Sequence, residues 1–378
     1  MSLFLPVLET LALFGEIMDY VAAKEKPLTA LRGKILSGER LNKEDGIALF
    51  ESRRLSEIGA LADRVRQEKV GDVVTFVGNY HICFSNICVN DCKYCTFRRT
   101  REDADAFVLT LDEIEQEALE SKKGSIPEIL FLGGIDSELP FDFLVEALER
   151  IKRQVPDIHV LAFSPVEIDY FAKTTQLSLR DILQQLKNSG LTAITGGGAE
   201  IFSLRVREKL GCSQKISGER WLEIMETAHS LGVQSNASML YGFEETLEER
   251  IEHLIKLRDL QDKTHGFTHF LPFAFSWKDY PETTGFDDLL MLAVSRLMLD
   301  NFDHIRTYWA HLGLKVAQIS LSFGADDLNG IRQKGRIVHS SGGTTSKSSS
   351  AEEMIRLVKD AGRIPAERDV VFNIIKTF

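Results

Sequence analysis

Three thiols lie together in Cys88-Val-Asn-Asp-Cys92-Lys-Tyr-Cys95, separated by three and then two residues. Three thiolates from one short loop can hold three corners of a cubic [4Fe–4S] cluster and leave the fourth iron open to a chelating ligand. A structural zinc site asks instead for four closed ligands, commonly as two separated Cys pairs. Cys83 stands five residues upstream and makes no second pair, so zinc is the weaker reading. Of the five cysteines in the chain, Cys83 and Cys212 read as ordinary thiols, Cys83 lying close to the site. The metal ligands expected are Cys88, Cys92 and Cys95.

Other residues read as a pocket for a nucleoside with an amino-acid tail. Tyr94, between the second and third thiols, can lie beside an adenine or simply pack the loop. Gly133-Gly134 end a strand whose carbonyls can bind an amino group. Gly196-Gly197-Gly198 let a backbone approach a ligand closely, and Glu200 can accept from two ribose hydroxyls. The alternative for Glu200 is an acid at a helix N-terminus. Ser164 and Glu167, and Met239 and Tyr241, sit at the ends of two further strands and join the cofactor-binding candidates. His81 points into a barrel mouth if it alternates inward. Arg205 and Arg207 are available for a carboxylate. Asp326, in Asp326-Asp327, is either a substrate hydrogen-bonding partner or a helix start.

The elements that position these residues alternate. Residues 1–70 read as helices, with Asn42-Lys-Glu-Asp45 as an N-cap and Ala48, Leu49, Leu55, Ile58, Leu61 and Ala62 as an apolar stripe. Strands are expected at Val73–Ile82, Glu128–Leu132, Ile158–Phe163, Thr192–Thr195, Gln234–Leu240, Thr268–Phe273 and Val316–Leu321. Helices lie between them. Thr110-Leu-Asp-Glu113 and Thr246-Leu-Glu-Glu249 are capping boxes, and Phe141, Leu144, Leu148 and Ile151 form one helical face. Ser340 to Ser350 reads as a polar loop, with a helix starting at Ser350-Ala-Glu-Glu353. Repeated βα units give an α/β fold, a parallel (β/α) barrel, full or partial, with a helical N-terminal extension. The expected division is 1–70 extension, 71–325 barrel core and 326–378 a segment completing the barrel. Functional residues in such a barrel follow the strand C-termini, which is where the cysteine loop and glycine runs fall.

The 378 residues are 44% hydrophobic and 27% charged, with net charge −11 and pI about 5.4. An acidic chain argues against a nucleic-acid partner. The N-terminal stretch carries Glu9 and Glu16 and lacks a basic start, so it reads as an amphipathic helix rather than a signal peptide. No apolar run reaches membrane-spanning length. Clustered reduced thiols imply a cytoplasmic location.

Six segments together resemble the radical S-adenosylmethionine enzymes of menaquinone and deazaflavin synthesis: Asn79 to Cys95, Ala162 to Ile168, Thr195 to Phe202, Ser235 to Gly242, Leu257 to Asp262 and Gly324 to Leu328. The resemblance runs from about Leu55 to the C-terminus. It implies a [4Fe–4S] cluster, S-adenosylmethionine, and an electron donor such as flavodoxin or ferredoxin. Thr195 to Phe202, Ser235 to Gly242 and Gly266 to Phe275 look most like the aminofutalosine synthases. Those add a 5′-deoxyadenosyl radical to a small carboxylated aromatic enol ether, 3-[(1-carboxyvinyl)oxy]benzoate, with decarboxylation. His81, Arg205 and Arg207 are the candidates for its carboxylates. The alternatives are dehypoxanthine futalosine cyclase chemistry and, in another class, a non-catalytic iron–sulfur electron carrier or redox sensor. Three positions depart from the family pattern: Asp136-Ser137 after the double glycine, Lys334-Gly335, and Cys83.

Overall fold

The computed structural model describes residues 28–122, 124, 126–277, 280–332 and 350–378. The expected N-terminal amphipathic helix, Lys334-Gly335 and the polar loop up to residue 349 lie outside them. Eight strands form the barrel: β1 Val73–Ser85, β2 Glu128–Gly133, β3 His159–Ala162, β4 Ala193–Ile194, β5 Gln234–Tyr241, β6 Phe267–Ala274, β7 His304–Ile305 and β8 Asp327–Arg332. Successive strands from β1 to β7 pair parallel, and β8 pairs parallel with β1. A bridge between Arg306 and Asp327 joins the end of β7 to β8. Thr307 N–H donates to the Asp327 carbonyl at 2.9 Å and Asp326 N–H to the Ile305 carbonyl at 3.1 Å. The ring therefore closes, although β4 and β7 are only two residues long.

The first six expected strands are present, with small shifts at their ends. The seventh is not: Val316–Leu321 falls in and just past a helix, Trp309–Ser320. Its branched residues look strand-like, yet Ala317, Ser320 and Leu321 are buried at helical spacing against Trp309, Met354 and Val358. Packing of that face outweighs local β propensity. The closing strands leave little trace in the sequence because β7 is so short and β8, Asp-Leu-Asn-Gly-Ile-Arg, is largely polar.

Helix starts follow local chemistry. Capping boxes are present at Asn42/Asp45 and Thr246/Glu249, and Thr110 with Glu113 is bonded in the same reciprocal way. Phe141, Leu144, Leu148 and Ile151 are all buried. Each strand sends alternate residues outward to these helices and inward to the barrel. Along β2, Ile129 and Phe131 are fully buried in the core, while Glu128, Leu130 and Leu132 line an internal cavity. Beyond the ring, β9 (Ile364–Arg368) pairs with the first residues of β1, and β10 (Ile374–Thr377) folds back antiparallel on β9. The turn between them sets Phe372 against His304, with ring centroids 4.0 Å apart. Among the described residues no helix is long and apolar enough to cross a membrane.

Candidate active site

The barrel interior holds a cavity of about 410 Å³. A depression of about 460 Å³ beside Lys173, Leu177, Arg180 and Glu223 is larger, but it lies on the outer helices and has no thiol in its lining. The chemistry-bearing residues meet inside the barrel, so the site is there.

The mouth is built by the loop after β1. Its backbone is tied down at several points: Arg99 N–H donates to the Asn86 carbonyl at 2.8 Å, Cys88 N–H to the Arg99 carbonyl at 3.1 Å, and Val89 N–H to the Ile135 carbonyl at 2.8 Å. The Asn86 side chain spans the loop, accepting from Phe107 N–H at 2.8 Å and donating to the Asp105 carbonyl at 2.9 Å. Cys92 is buried, Cys88 half-buried and Cys95 exposed, and Cys95 and Tyr94 line the cavity. Burial pushes the Cys92 thiol up, with Lys215 beside it pulling the other way. Gly134 seats this loop, since a Cβ there would stand 2.1 Å from the Ile87 carbonyl oxygen. Gly133 packs equally close under the Phe84 ring. Both glycines thus have a packing reason. The departure at Asp136 also has a local one: its buried carboxylate accepts from Arg101 of the cysteine loop at 2.7 Å.

Glu200 holds the centre of the mouth. It has a left-handed φ of 38° and lies 9% exposed. Its carboxylate takes Lys215 Nζ at 2.8 Å, Arg207 Nη1 at 3.2 Å and the Tyr94 hydroxyl. Burial alone would raise its pKa; Lys215 and Arg207 reverse that and hold it below the ordinary carboxylate range. The Tyr94 hydroxyl is pushed well up by burial and by Glu200. Lys215 also lies 5.5 Å from the Tyr94 ring centroid. It was missed in the sequence because it sits 121 residues beyond Tyr94 with no motif around it. Of the triple glycine, Gly196 and Gly198 have packing reasons: a Cβ would meet the Asn236 carbonyl at 2.6 Å and Val166 at 2.2 Å. Gly197 meets nothing closer than 3.4 Å and lines the cavity.

Ser164 and Glu167 form a capping box at the start of the helix Pro165–Thr175. Glu167 is buried, and burial pushes its carboxyl up to about 7. Its Oε1 has no hydrogen-bond partner among the described residues. His81 lines the cavity, as expected from alternation.

Five other expected site residues lie elsewhere. Arg205 is largely exposed and paired with Glu249 at 2.5 Å. Arg207 is buried but spent on the Gly198 and Ala199 carbonyls, Glu200 and the Ile216 carbonyl. It staples the glycine loop and does not line the cavity. Asp326 is buried against Arg296 at 2.6 Å and His304 at 2.5 Å. Met239 and Tyr241 point out of the barrel, Tyr241 donating to Asp288 at 2.7 Å. Their β5 neighbours Asn236, Ser238 and Leu240 line the cavity instead. This interior is partly polar, which inverts the usual apolar-in pattern along β5. Also unforeseen are Asn79, Glu128, Arg306 and Asn329 toward the floor and the belt Leu130, Leu161, Leu271 and Phe273 between.

The donor types here suit a cluster and a sulfonium nucleoside, while among the described residues no three of the ligand candidates are gathered closely enough to hold a metal ion. Three thiols share the mouth loop, a ring and a carboxylate face the same opening, and Gly197 leaves room beside them. The family model described as the Radical SAM superfamily matches residues 82–257, and the CofH/MqnC C-terminal region matches 264–377. The aminodeoxyfutalosine synthase of Thermus thermophilus is 39% identical over 94% of this chain and 98% of its own. The 5-amino-6-(D-ribitylamino)uracil–L-tyrosine 4-hydroxyphenyl transferase of Methanoculleus marisnigri is 36% identical over 92% and 98%. Among solved structures, methylornithine synthase aligns with TM-score 0.69 at 18% identity, covering 89% of this chain and 97% of that one. The hydrogenase maturase HydG of Carboxydothermus hydrogenoformans aligns with TM-score 0.70 at 18% identity, covering 98% and 87%. Both likenesses speak to the fold.

Proposed function

This chain belongs to the radical SAM superfamily, whose enzymes work with a [4Fe–4S] cluster and S-adenosylmethionine, and we propose that it is an aminodeoxyfutalosine synthase acting in menaquinone formation. It is a carbon–carbon bond-forming radical SAM enzyme acting on a small molecule. The finer reading is addition of the 5′-deoxyadenosyl group to the enol-ether carbon of 3-[(1-carboxyvinyl)oxy]benzoate with loss of carbon dioxide. The observation that carries it is the end-to-end 39% identity to the synthase of that name.

When bound, the cluster and S-adenosylmethionine supply the adenosyl radical. The chain's own residues do the rest. Cys88, Cys92 and Cys95 hold the cluster at the mouth. Glu200, kept ionised by Lys215 and Arg207, accepts from the ribose hydroxyls, and Tyr94 lies along the base. Leu130, Leu161, Leu271 and Phe273 enclose the benzene ring and exclude water, which holds the alkene close to the nucleoside carbon. The reductant is a small protein such as flavodoxin or ferredoxin, and the setting is the cytoplasm.

A second reading rests on Asn79, Asn236, Ser238 and Asn329, whose amides and hydroxyl along the wall also suit a polyol. It is the chemistry named for the 36% identical relative. Anaerobic incubation of reduced protein with ribose-labelled S-adenosylmethionine separates the readings. Label in a decarboxylated adduct of the enol ether supports the synthase. Label only in free 5′-deoxyadenosine points to the cyclase. Product from tyrosine with 5-amino-6-(D-ribitylamino)uracil, and none from the enol ether, supports the second reading.

A further inference from the structure

We propose that Arg306 is the seat for a substrate carboxylate at the floor of the barrel cavity, held in place by Asp327. The carboxylate in question is the one on the benzene ring, which the product keeps, and not the one lost near the mouth. The identity of the acid rests on the synthase reading; the anion seat itself does not.

Two guanidiniums meet one carboxylate at the floor. Arg306 lines the cavity and is 7% exposed. Its Nε donates to Asp327 Oδ1 at 2.5 Å. Asp327 is fully buried, and its other oxygen takes Arg368 Nε at 2.6 Å and the Thr75 hydroxyl at 2.7 Å. One carboxylate is thus shared by two guanidiniums. Glu128 is buried at the same end of the cavity; burial pushes its carboxyl up, while Arg368 and Arg306 pull it down. Asp326 is engaged by Arg296 on the other side of the wall. A guanidinium stays charged under all ordinary conditions, and among the described residues Arg306 shares its one hydrogen-bonded carboxylate with Arg368.

One guanidinium supplies the donors for that anion. No described residue takes the two outer nitrogens of Arg306, which present the planar fork that binds carboxylates in two parallel bonds. Asn79 also lines the cavity and is 5% exposed; its buried atom without a partner among the described residues is the acceptor Oδ1, so the guanidinium alone carries the seat. Gly330 lets Asn79 in, because a Cβ there would stand 2.1 Å from the amide. The carboxylates needed by the reading have no such partner from Arg205 or Arg207, which lie off the cavity.

The vertical order also fits. The Arg306 guanidinium lies 5.9 Å from the ring centroid of Phe372, in the turn after β9, the strand that pairs with the first residues of β1. The cysteine loop leaves from the other end of that strand. Glu128 and Leu132, the lowest and highest lining residues of β2, are four residues and so about 13 Å apart. A benzoate carboxylate on Arg306 then puts the ring in the leucine belt and its 3-substituent toward the mouth.

The test uses equilibrium binding to the holoenzyme with S-adenosylmethionine present, so turnover is not needed. The probes are isophthalate and its diamide, isophthalamide, which has the same shape and no carboxylate. Wild type is expected to prefer the diacid by about tenfold or more. Arg306→Gln should lose that preference, with isophthalate weakened at least about tenfold and iron content and S-adenosylmethionine affinity unchanged. Arg306→Lys should fall between, since an ammonium keeps the charge without the fork. Equal binding of isophthalate to wild type and Arg306→Gln overturns the proposal, as does a wild type that does not distinguish acid from amide. Should Arg306→Gln lose iron, Arg306→Lys and the wild-type acid–amide comparison decide it. Turnover of the enol ether by wild type judges the synthase reading separately: failure there with intact isophthalate discrimination removes the substrate and leaves the anion seat.

Discussion

Replacing Glu200 by Gln probes the mouth most directly. Its carboxylate is 7% exposed in the side chain and carries two cations, Lys215 at 2.8 Å and Arg207 at 3.2 Å. Gln keeps the size and an acceptor for Tyr94 but removes the charge. Lys215 is then buried without a counter-ion, while Arg207 keeps its carbonyl partners. Removing one member of a buried pair costs roughly 3–5 kcal/mol. Unfolding entropy near 2.1 cal/mol/K per residue amounts to about 0.8 kcal/mol/K for this chain. The expected fall in Tm of the apoprotein is therefore about 4–6 °C. Adding Lys215→Met should recover part of it, because the stranded ammonium goes, and the two effects should be clearly non-additive. Affinity for S-adenosylmethionine should drop about tenfold or more if Glu200 accepts from the ribose. The assays are thermal unfolding of the three variants and a binding titration of the reconstituted forms. A Tm unchanged within about 1 °C, or additive effects in the double variant, would refute the charge argument. Unchanged affinity would remove Glu200 from the nucleoside site.

Cys88→Ala, Cys92→Ala and Cys95→Ala should each lose the cluster by iron and sulfide assay, while Cys83→Ala and Cys212→Ala keep it; cluster loss in Cys83→Ala with retention in Cys95→Ala would invert the assignment. Gly134→Ala should destabilise by about 1–3 kcal/mol and impair cluster loading, since the clash is with the Ile87 backbone; Gly197→Ala should leave Tm nearly unchanged yet weaken nucleoside binding. Glu167 has its folded pKa raised to about 7, so the folded state holds a proton that the unfolded state releases. That contribution is present below the unfolded value near 4.5 and fades as pH rises to about 7. Gln preserves the capping box, so Glu167→Gln should be more stable than wild type at pH 8, by up to about 3 kcal/mol, with the gap closing toward pH 5. A gap that does not change with pH in denaturant unfolding would show that the proton is not held.

Local chemistry was enough for much of this protein. The cysteine spacing depends only on residues seven positions apart at most, and capping boxes such as Thr246/Glu249 close within one helical turn. Six strands were legible because most of them are apolar runs between turn residues. That order, with helices between, leads to a parallel barrel and puts the cysteine loop and glycine runs at its mouth. What sequence could not decide depends on distant contacts. Val316–Leu321 became helix because its buried face meets Trp309 and Val358. Met239 and Tyr241 turned outward because the barrel interior is partly wet, so polarity no longer marks the outer face. Arg205, Arg207 and Arg306 are equivalent as letters. Only the tertiary structure separates an exposed pair with Glu249, a staple on backbone carbonyls, and a fork on the cavity floor. Lys215 and Glu128 belong to the site for the same reason: a closed ring of strands brings together residues far apart in sequence, and burial then sets their charge.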